Sequence, residues 1–347
     1  MAFVAGLEVE KALGILMQPD HYRRGWHPTA TLGVFGATAG AAKALRLSAV
    51  ELQAAFGIAA SLSAGLRINA GSSTKPLHCG FAARHGLEAA LLAKHGVTAS
   101  PDALGGANGF LGLYSGQTSP SVADALSRLG NPYEVIDPGL SPKLYPCCSD
   151  THCAVDGLLD LKARHGLTHG DVRRISLAIA PMAGPNVMRR DPTTPTQARF
   201  SLSHCAAAAL VHGRLGLEQF EATCLHDAAV RELASRIEVR TDIALGAEEA
   251  FSSPAIVEIE TNSGARHSLT VREMRGHPKR PLGEADLAQK FDECAQGVLA
   301  PQQALALRRC IARLDTLSNI GEMLALAVPD PSNGTRAVER TVASAEI

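Results

Sequence analysis

Two short polar constellations interrupt segments otherwise built from Ala, Gly and Leu: Gly25-Trp26-His27-Pro28-Thr29 and Gly71-Ser72-Ser73-Thr74-Lys75-Pro76-Leu77-His78. An imidazole titrates near neutrality, so His27, set beside a Pro-opened helix, is the first candidate for moving a proton. Lys75 stands on the last residue before another Pro-opened helix, where an ammonium and free helix-start amides together favour a carboxylate. Ser73, Thr74 and His78 flank it and are candidate ligand contacts. The plainer alternatives are a capping or core histidine and a solvated surface lysine. Finding both groups at helix starts favours one small anion held beside a proton-transfer group.

A third constellation is Lys143-Leu144-Tyr145-Pro146-Cys147-Cys148-Ser149-Asp150-Thr151-His152-Cys153. Three thiols and a histidine invite a zinc reading, but the vicinal pair lacks Cys-x-x-Cys spacing and no second ligand pair follows at a zinc-finger interval. A cleft-lining role for Lys143 and His152 is the better expectation. No Gly-x-Ser-x-Gly elbow or Cys-Gly-x-Cys-Trp signature supports covalent catalysis. Arg189, Arg190, Asp191 and Arg199 are either solvated charges or further cleft groups, and the sequence leaves that open.

These residues need elements to position them. Apolar periodicity predicts a helix over Met1–Leu16, one from Pro28 to about Leu45 carrying Gly33, Gly36 and Gly40 for close helix approach, and one from the Ser48-Ala49-Val50-Glu51 capping box to about Leu62. A further helix is expected from Pro76 to Lys94, a short one from Ser100, and turns over Gly105–Gly116. Strands are expected at Val172–Ile179, Ile237–Ile243, Ala255–Thr261 and His267–Arg272, forming an antiparallel sheet, with helices at Thr151–His165 and Thr196–Leu210. Helical texture returns at Asp286–Leu299, Pro301–Leu314 and Ile320–Ala327. The fold class is therefore mainly α with an inserted α+β domain. Residues 1–139 and 281–328 form a discontinuous helical domain, residues 140–280 the α+β lid, and residues 329–347 a polar, disordered tail.

At 347 residues the chain is long enough for two domains. With 33 Lys+Arg against 34 Asp+Glu and no basic block, nucleic acid and acidic membrane surfaces are poor partners. The 8 cysteines form no compact framework and no signal peptide precedes them, which points to a reducing cytoplasm. No run reaches the ~18 apolar residues of a membrane helix.

At these residues the chain resembles the MmgE/PrpD family, which includes 2-methylcitrate dehydratase and cis-aconitate decarboxylase. Gly25–Thr29, Thr74-Lys75-Pro76-Leu77-His78-Cys79-Gly80, Leu144-Tyr145-Pro146-Cys147-Cys148, Gln197-Ala198-Arg199-Phe200-Ser201-Leu202 and Lys290-Phe291 follow its pattern in order. The resemblance implies a helical domain with an α+β lid, a homodimer, small di- or tricarboxylate substrates, and no metal or organic cofactor. It makes His27 a catalytic histidine, gives Lys75 and Lys143 the substrate carboxylates, and puts His78 and His152 in the pocket. Dehydration of a 2-methylcitrate-like hydroxy-tricarboxylate is the first expectation, and cis-aconitate decarboxylation and a non-catalytic relative are the alternatives. Two departures stand out. The family's preceding helical segment, with an Asp-Asp-Thr-His-like motif, is not in this sequence. Ser203-His204 also stands where Pro-Tyr is usual, so His204 is the candidate to replace a hydroxyl donor.

Without that preceding segment, apolar surface on Met1–Leu16 and on the Ala30–Leu45 hairpin is expected to drive self-association. Sedimentation should show an oligomer, and a clean, stable monomer would contradict the expectation.

Overall fold

The computed structural model describes residues 1–115, 122–246 and 253–329. The chain is mainly α-helical with one small mixed sheet. Helices α1 (Ala2–Met17), α2 (Gly33–Leu45), α3 (Ala49–Leu62) and α4 (Thr74–Lys94) pack together, α4 lying against both α2 and α3. Small residues make this possible. A Cβ on Gly6 would stand 2.7 Å from the Gly36 carbonyl oxygen, and one on Gly86 would stand 2.7 Å from the Thr38 nitrogen. The close approach read from Gly36 is therefore a backbone contact between α1 and α2. Leu13, Leu16, Met17, Leu32, Phe35, Ala59, Ala89 and Phe110 share the resulting core.

The Ser48–Glu51 capping box closes the start of α3, with the Ser48 amide donating to Glu51 at 2.6 Å. Several other boundaries differ from expectation. Lys75 lies inside the first turn of α4, one residue after Thr74. Residues 101–109 are turns and bends with no helix, while Phe110–Ser115 inside the expected turn region is helical. The expected helix over Thr196–Leu210 is two pieces, Pro195–Ala198 and α6 (Leu202–His212). They divide because the Ser201 hydroxyl accepts from the His204 amide and starts a new helix. Of the proposed tail over residues 329–347, all but Pro329 lies outside the described residues.

The sheet runs β2 (Ile237–Thr241), β1 (Val172–Ile179), β3 (Ala255–Thr261), β4 (Arg266–Val271). It is mixed where an antiparallel sheet was expected: β1 pairs with β2 in parallel and with β3 antiparallel. The cause is the connection. Between β1 and β2 the chain passes through α6 and then α7 (Ala228–Ser235), which pack on each other, and a helical crossover returns the strand in the same direction. The β3–β4 hairpin stays antiparallel through its short turn. A second core of Leu158, Ile175, Leu177, Ile179, Leu202, Leu210, Phe220 and Leu233 fills the space between sheet and helices. Among the described residues, no helix is long and apolar enough to cross a membrane.

Helix α5 (His152–His165) matters most for the site because it anchors the loop before it. Asp156, whose side chain is fully buried, accepts from the Tyr145 hydroxyl at 2.6 Å, from the Arg275 amide at 2.7 Å and from the Arg280 guanidinium at 3.3 Å. Arg280 also reaches Asp160, at 3.1 Å. Burial raises the proton affinity of Asp156, and these donors oppose the rise. Tyr145 ties the loop carrying Lys143, Cys147 and Cys148 to the helix. Asp156→Ala leaves the buried Tyr145 hydroxyl and the Arg275 amide without this acceptor and takes one carboxylate from Arg280, so a loss of about 3 kcal/mol is expected. Urea unfolding should report it as a lower midpoint with an unchanged slope.

Candidate active site

His27 is held by a frame the sequence did not announce. His21, fully buried in the Asp20–Arg23 turn, is 3.0 Å from the Tyr114 carbonyl through Nδ1 and 2.6 Å from the Thr31 hydroxyl through Nε2. The Tyr114 hydroxyl donates to the Ser63 carbonyl at 2.9 Å, and the Ser63 hydroxyl donates to the Thr31 carbonyl at 2.9 Å. Trp26 stacks on Tyr114 with ring centroids 4.6 Å apart. The backbone completes the cradle: the His27 amide donates to Gly65, the Arg67 amide donates to Gly25, and Trp26 bridges Leu66. His27 thereby stands at the N-cap of the Pro28–Thr31 turn without using its ring for capping.

Its ring faces another imidazole. His27 Nδ1 lies 2.9 Å from Nδ1 of His78, one turn into α4. One of the two must donate and the other accept, so a single proton fixes both tautomers. When His27 is the donor its Nε2 carries a bare lone pair and is a base, and when it is the acceptor its Nε2 is a proton donor. Burial, then the Lys75 ammonium, then His78 lower the pKa of His27 to about 4. Burial and Lys75 lower that of His78 as well. The pair is therefore neutral at pH 7.

Lys75 is half-buried, its Nζ 4.5 Å over the Phe200 ring. Burial lowers its proton affinity most and Lys143 adds to that, while Cys148, Asp150 and Cys79 oppose the change. Lys143 donates to the Cys147 carbonyl at 3.1 Å. The Cys148 thiol is pushed up to about 12 by burial and by Asp150, against the pull of Lys75 and Lys143. It is thus no nucleophile at neutral pH. Asp150 is itself engaged, accepting from Ser253 at 2.5 Å and from Asn186 at 2.8 Å. The two ammonium groups therefore repel each other, and Asp150, the carboxylate that acts on Lys75, is already engaged.

Four of the expected residues, His27, Lys75, His78 and Lys143, converge there. Ser73 and Thr74 are exposed at the start of α4, and Ser73 makes no side-chain cap. His152 does not line a cleft in this structure: it is fully buried, edge-on to Tyr145 and beside the Cys147 thiol. His204 is also buried. Its Nε2 is 2.9 Å from the Gln219 carbonyl and its ring lies by Phe220, so it contacts none of the four. It borders a separate cleft of about 640 Å3 that Arg189, Arg190 and Arg231 also line. Arg199 lies over Phe220, 5.8 Å from the ring centroid, with a buried, unpaired Nε. Among the described residues, no group of three or more His, Cys, Asp or Glu side chains is placed to hold a metal ion.

Because the folded protein binds a proton at His27 more weakly than the unfolded chain does, this histidine favours unfolding increasingly as pH falls from about 6.5 toward 4. Nuclear magnetic resonance titration of His27 should give a midpoint near 4. Lys75→Gln removes one of the lowering charges and should move that midpoint upward, whereas an unmoved midpoint would place the ammonium too far away to matter.

The MmgE/PrpD N-terminal domain matches residues 1–123, and the MmgE/PrpD C-terminal domain matches residues 145–316. Human cis-aconitate decarboxylase is 29% identical over 342 residues, covering 94% of this chain and 68% of the relative. The mouse protein of that name is 26% identical over 92% of this chain and 66% of its own length. That from Aspergillus terreus is 25% identical, covering 94% and 69%. The chain thus spans about two thirds of the length of these curated relatives. With both domains matched and the relatives aligned through nearly all of it, the chain belongs to the MmgE/PrpD family.

Proposed function

We propose that this protein is a lyase acting on a small tricarboxylate, with decarboxylation of a cis-aconitate-like substrate now ahead of the dehydration that the sequence put first. The observation that carries the reading is the neutral His27–His78 pair beside the Lys75 ammonium, which Lys143 acts on in turn. The names of the relatives favour decarboxylation over water loss.

The chemistry fits those groups. In cis-aconitate the carboxylate on the CH2 carbon is β,γ to the double bond. When its C–C bond breaks, carbon dioxide leaves and the electron pair spreads over the allylic system onto the carboxylate at the far end. One proton at that far carbon completes the alkene product. Lys75 and Lys143 stabilise the charge as it develops, and His27 is the group to deliver the proton. Dehydration uses the same parts in the other direction: His27 removes the proton next to a carboxylate and hydroxide leaves. All 8 cysteines are free, in keeping with a cytoplasmic setting. We further propose a homodimer, supported by the apolar outer face of α4, where Leu77, Phe81, Leu87 and Leu91 are exposed.

Offered cis-aconitate, the protein should release carbon dioxide, whereas formation of an alkene only from 2-methylcitrate or citrate would name a dehydratase. Lys75→Gln should lower kcat/KM about 100-fold, the size of effect seen when one charge-stabilising donor is removed. His27→Ala should abolish turnover in protein that remains folded. Wild-type rates in either variant would remove this site from the reaction.

A further inference from the structure

We infer that Tyr22 presents its phenolic hydroxyl to the substrate as a hydrogen-bond donor. The inference rests on the proposed reading of the site and adds a ligand contact to it. Tyr22 lies in the Asp20–Arg23 turn, next to the buried His21 and five residues before His27. Its hydroxyl oxygen is 2.6 Å from Asn186 Nδ2, and the same nitrogen is 2.8 Å from Asp150 Oδ2. Asp150 is thus shared by Asn186, Ser253 and, at 3.5 Å, the Cys148 thiol.

Proton counting then fixes the direction of the phenol. An ionised carboxylate only accepts, so the nitrogen facing Asp150 is the amide NH2, and its two protons go to Asp150 and to the Tyr22 oxygen. Tyr22 therefore accepts from Asn186 and cannot donate back. Among the described residues its own proton has no acceptor. The phenol is held at two further points: the Arg67 guanidinium lies 4.1 Å over the ring centroid and donates to the Tyr22 carbonyl at 3.0 Å. Burial, with Asp150 and Cys148 adding to it, raises the proton affinity of the phenol above its ordinary value, against Asn186 and Arg67, so it stays protonated at neutral pH.

The location agrees. Asp150 and Cys148 act electrostatically on both Tyr22 and Lys75, and Lys143 acts on Cys148, so these groups are neighbours. A tricarboxylate held there by two ammonium groups has acceptor oxygens to spare, and an oriented, uncommitted O–H is what the phenol offers them.

The test uses tricarballylate, a saturated tricarboxylate that cannot lose carbon dioxide by the allylic route, in calorimetric titrations of wild type, Tyr22→Phe, Asn186→Ala and Lys75→Gln, each shown to be folded by circular dichroism. Tyr22→Phe keeps the ring under Arg67 and should bind at least fivefold more weakly, and Asn186→Ala, which frees the phenol to turn, should also weaken binding. Equal affinity of wild type and Tyr22→Phe overturns the inference, whatever Lys75→Gln does. Wild-type affinity in Lys75→Gln overturns the reading of the site instead. Absence of binding by wild type overturns both.

Discussion

One proton shared between two imidazole nitrogens 2.9 Å apart, inside the field of an ammonium group, is the constraint that organises this protein. Two histidines at that distance cannot both keep a proton on the facing nitrogens, and neither can leave them both bare without losing the hydrogen bond. Burial and Lys75 make the charged form costly, so the pair is neutral and polarised, and its outer nitrogens are opposite in character. A loose site would let each ring rotate to water. The His21–Thr31–Ser63–Tyr114 frame prevents that by leaving almost no polar atom of the cradle without a partner.

The two halves of the chain meet at the same place for a related reason. The His27 pair belongs to the helical half, while Lys143, Cys148 and Asp150 come from the loop that precedes α5. That loop is fixed by Tyr145 on Asp156, a carboxylate buried beneath the sheet side of the molecule. Asn186, from the segment after β1, joins the halves directly by holding Tyr22 with one proton and Asp150 with the other. On the proposed reading, substrate affinity and the relative placement of these elements are linked, since an anion between Lys75 and Lys143 touches both sides.

Much of this was legible in the sequence because it is written in local patterns. The capping box at Ser48, the Gly36 spacing and the Pro-marked positions of His27 and Lys75 each have a short-range physical signature, and the structure places those features near where the patterns put them. What could not be read depends on partners far along the chain. The parallel pairing of β1 and β2 follows from how α6 and α7 pack, which no strand periodicity encodes. His21 and Tyr22 carry no local signature of their roles, because their partners are Tyr114 and Asn186, 93 and 164 residues away. His152 is suggested by its neighbourhood and His204 by its place in the family pattern, and both rings are turned into the protein by contacts with Tyr145 and Gln219 that sequence spacing cannot show. The one available signal was the density of polar residues from Gln18 to Arg24, too many for a plain connector.

On the proposed reading His27 delivers a proton, and its depressed proton affinity looks at first like a poor choice, because at pH 7 a base of pKa about 4 is almost never charged. The causes of the depression resolve the difficulty. One of them is the Lys75 ammonium, and a bound carboxylate cancels part of that field. Anion binding therefore raises the proton affinity of the histidine in the complex, where a proton is needed, and by reciprocity protonation of the histidine tightens the anion. The empty site stays neutral at the imidazoles and cationic at the lysines, which avoids a third positive charge in a partly buried space. Filling it with a tricarboxylate reverses that balance. On the proposed reading, the same two ammonium groups do two jobs in sequence: they hold the substrate, and in being neutralised by it they release the histidine to carry the proton.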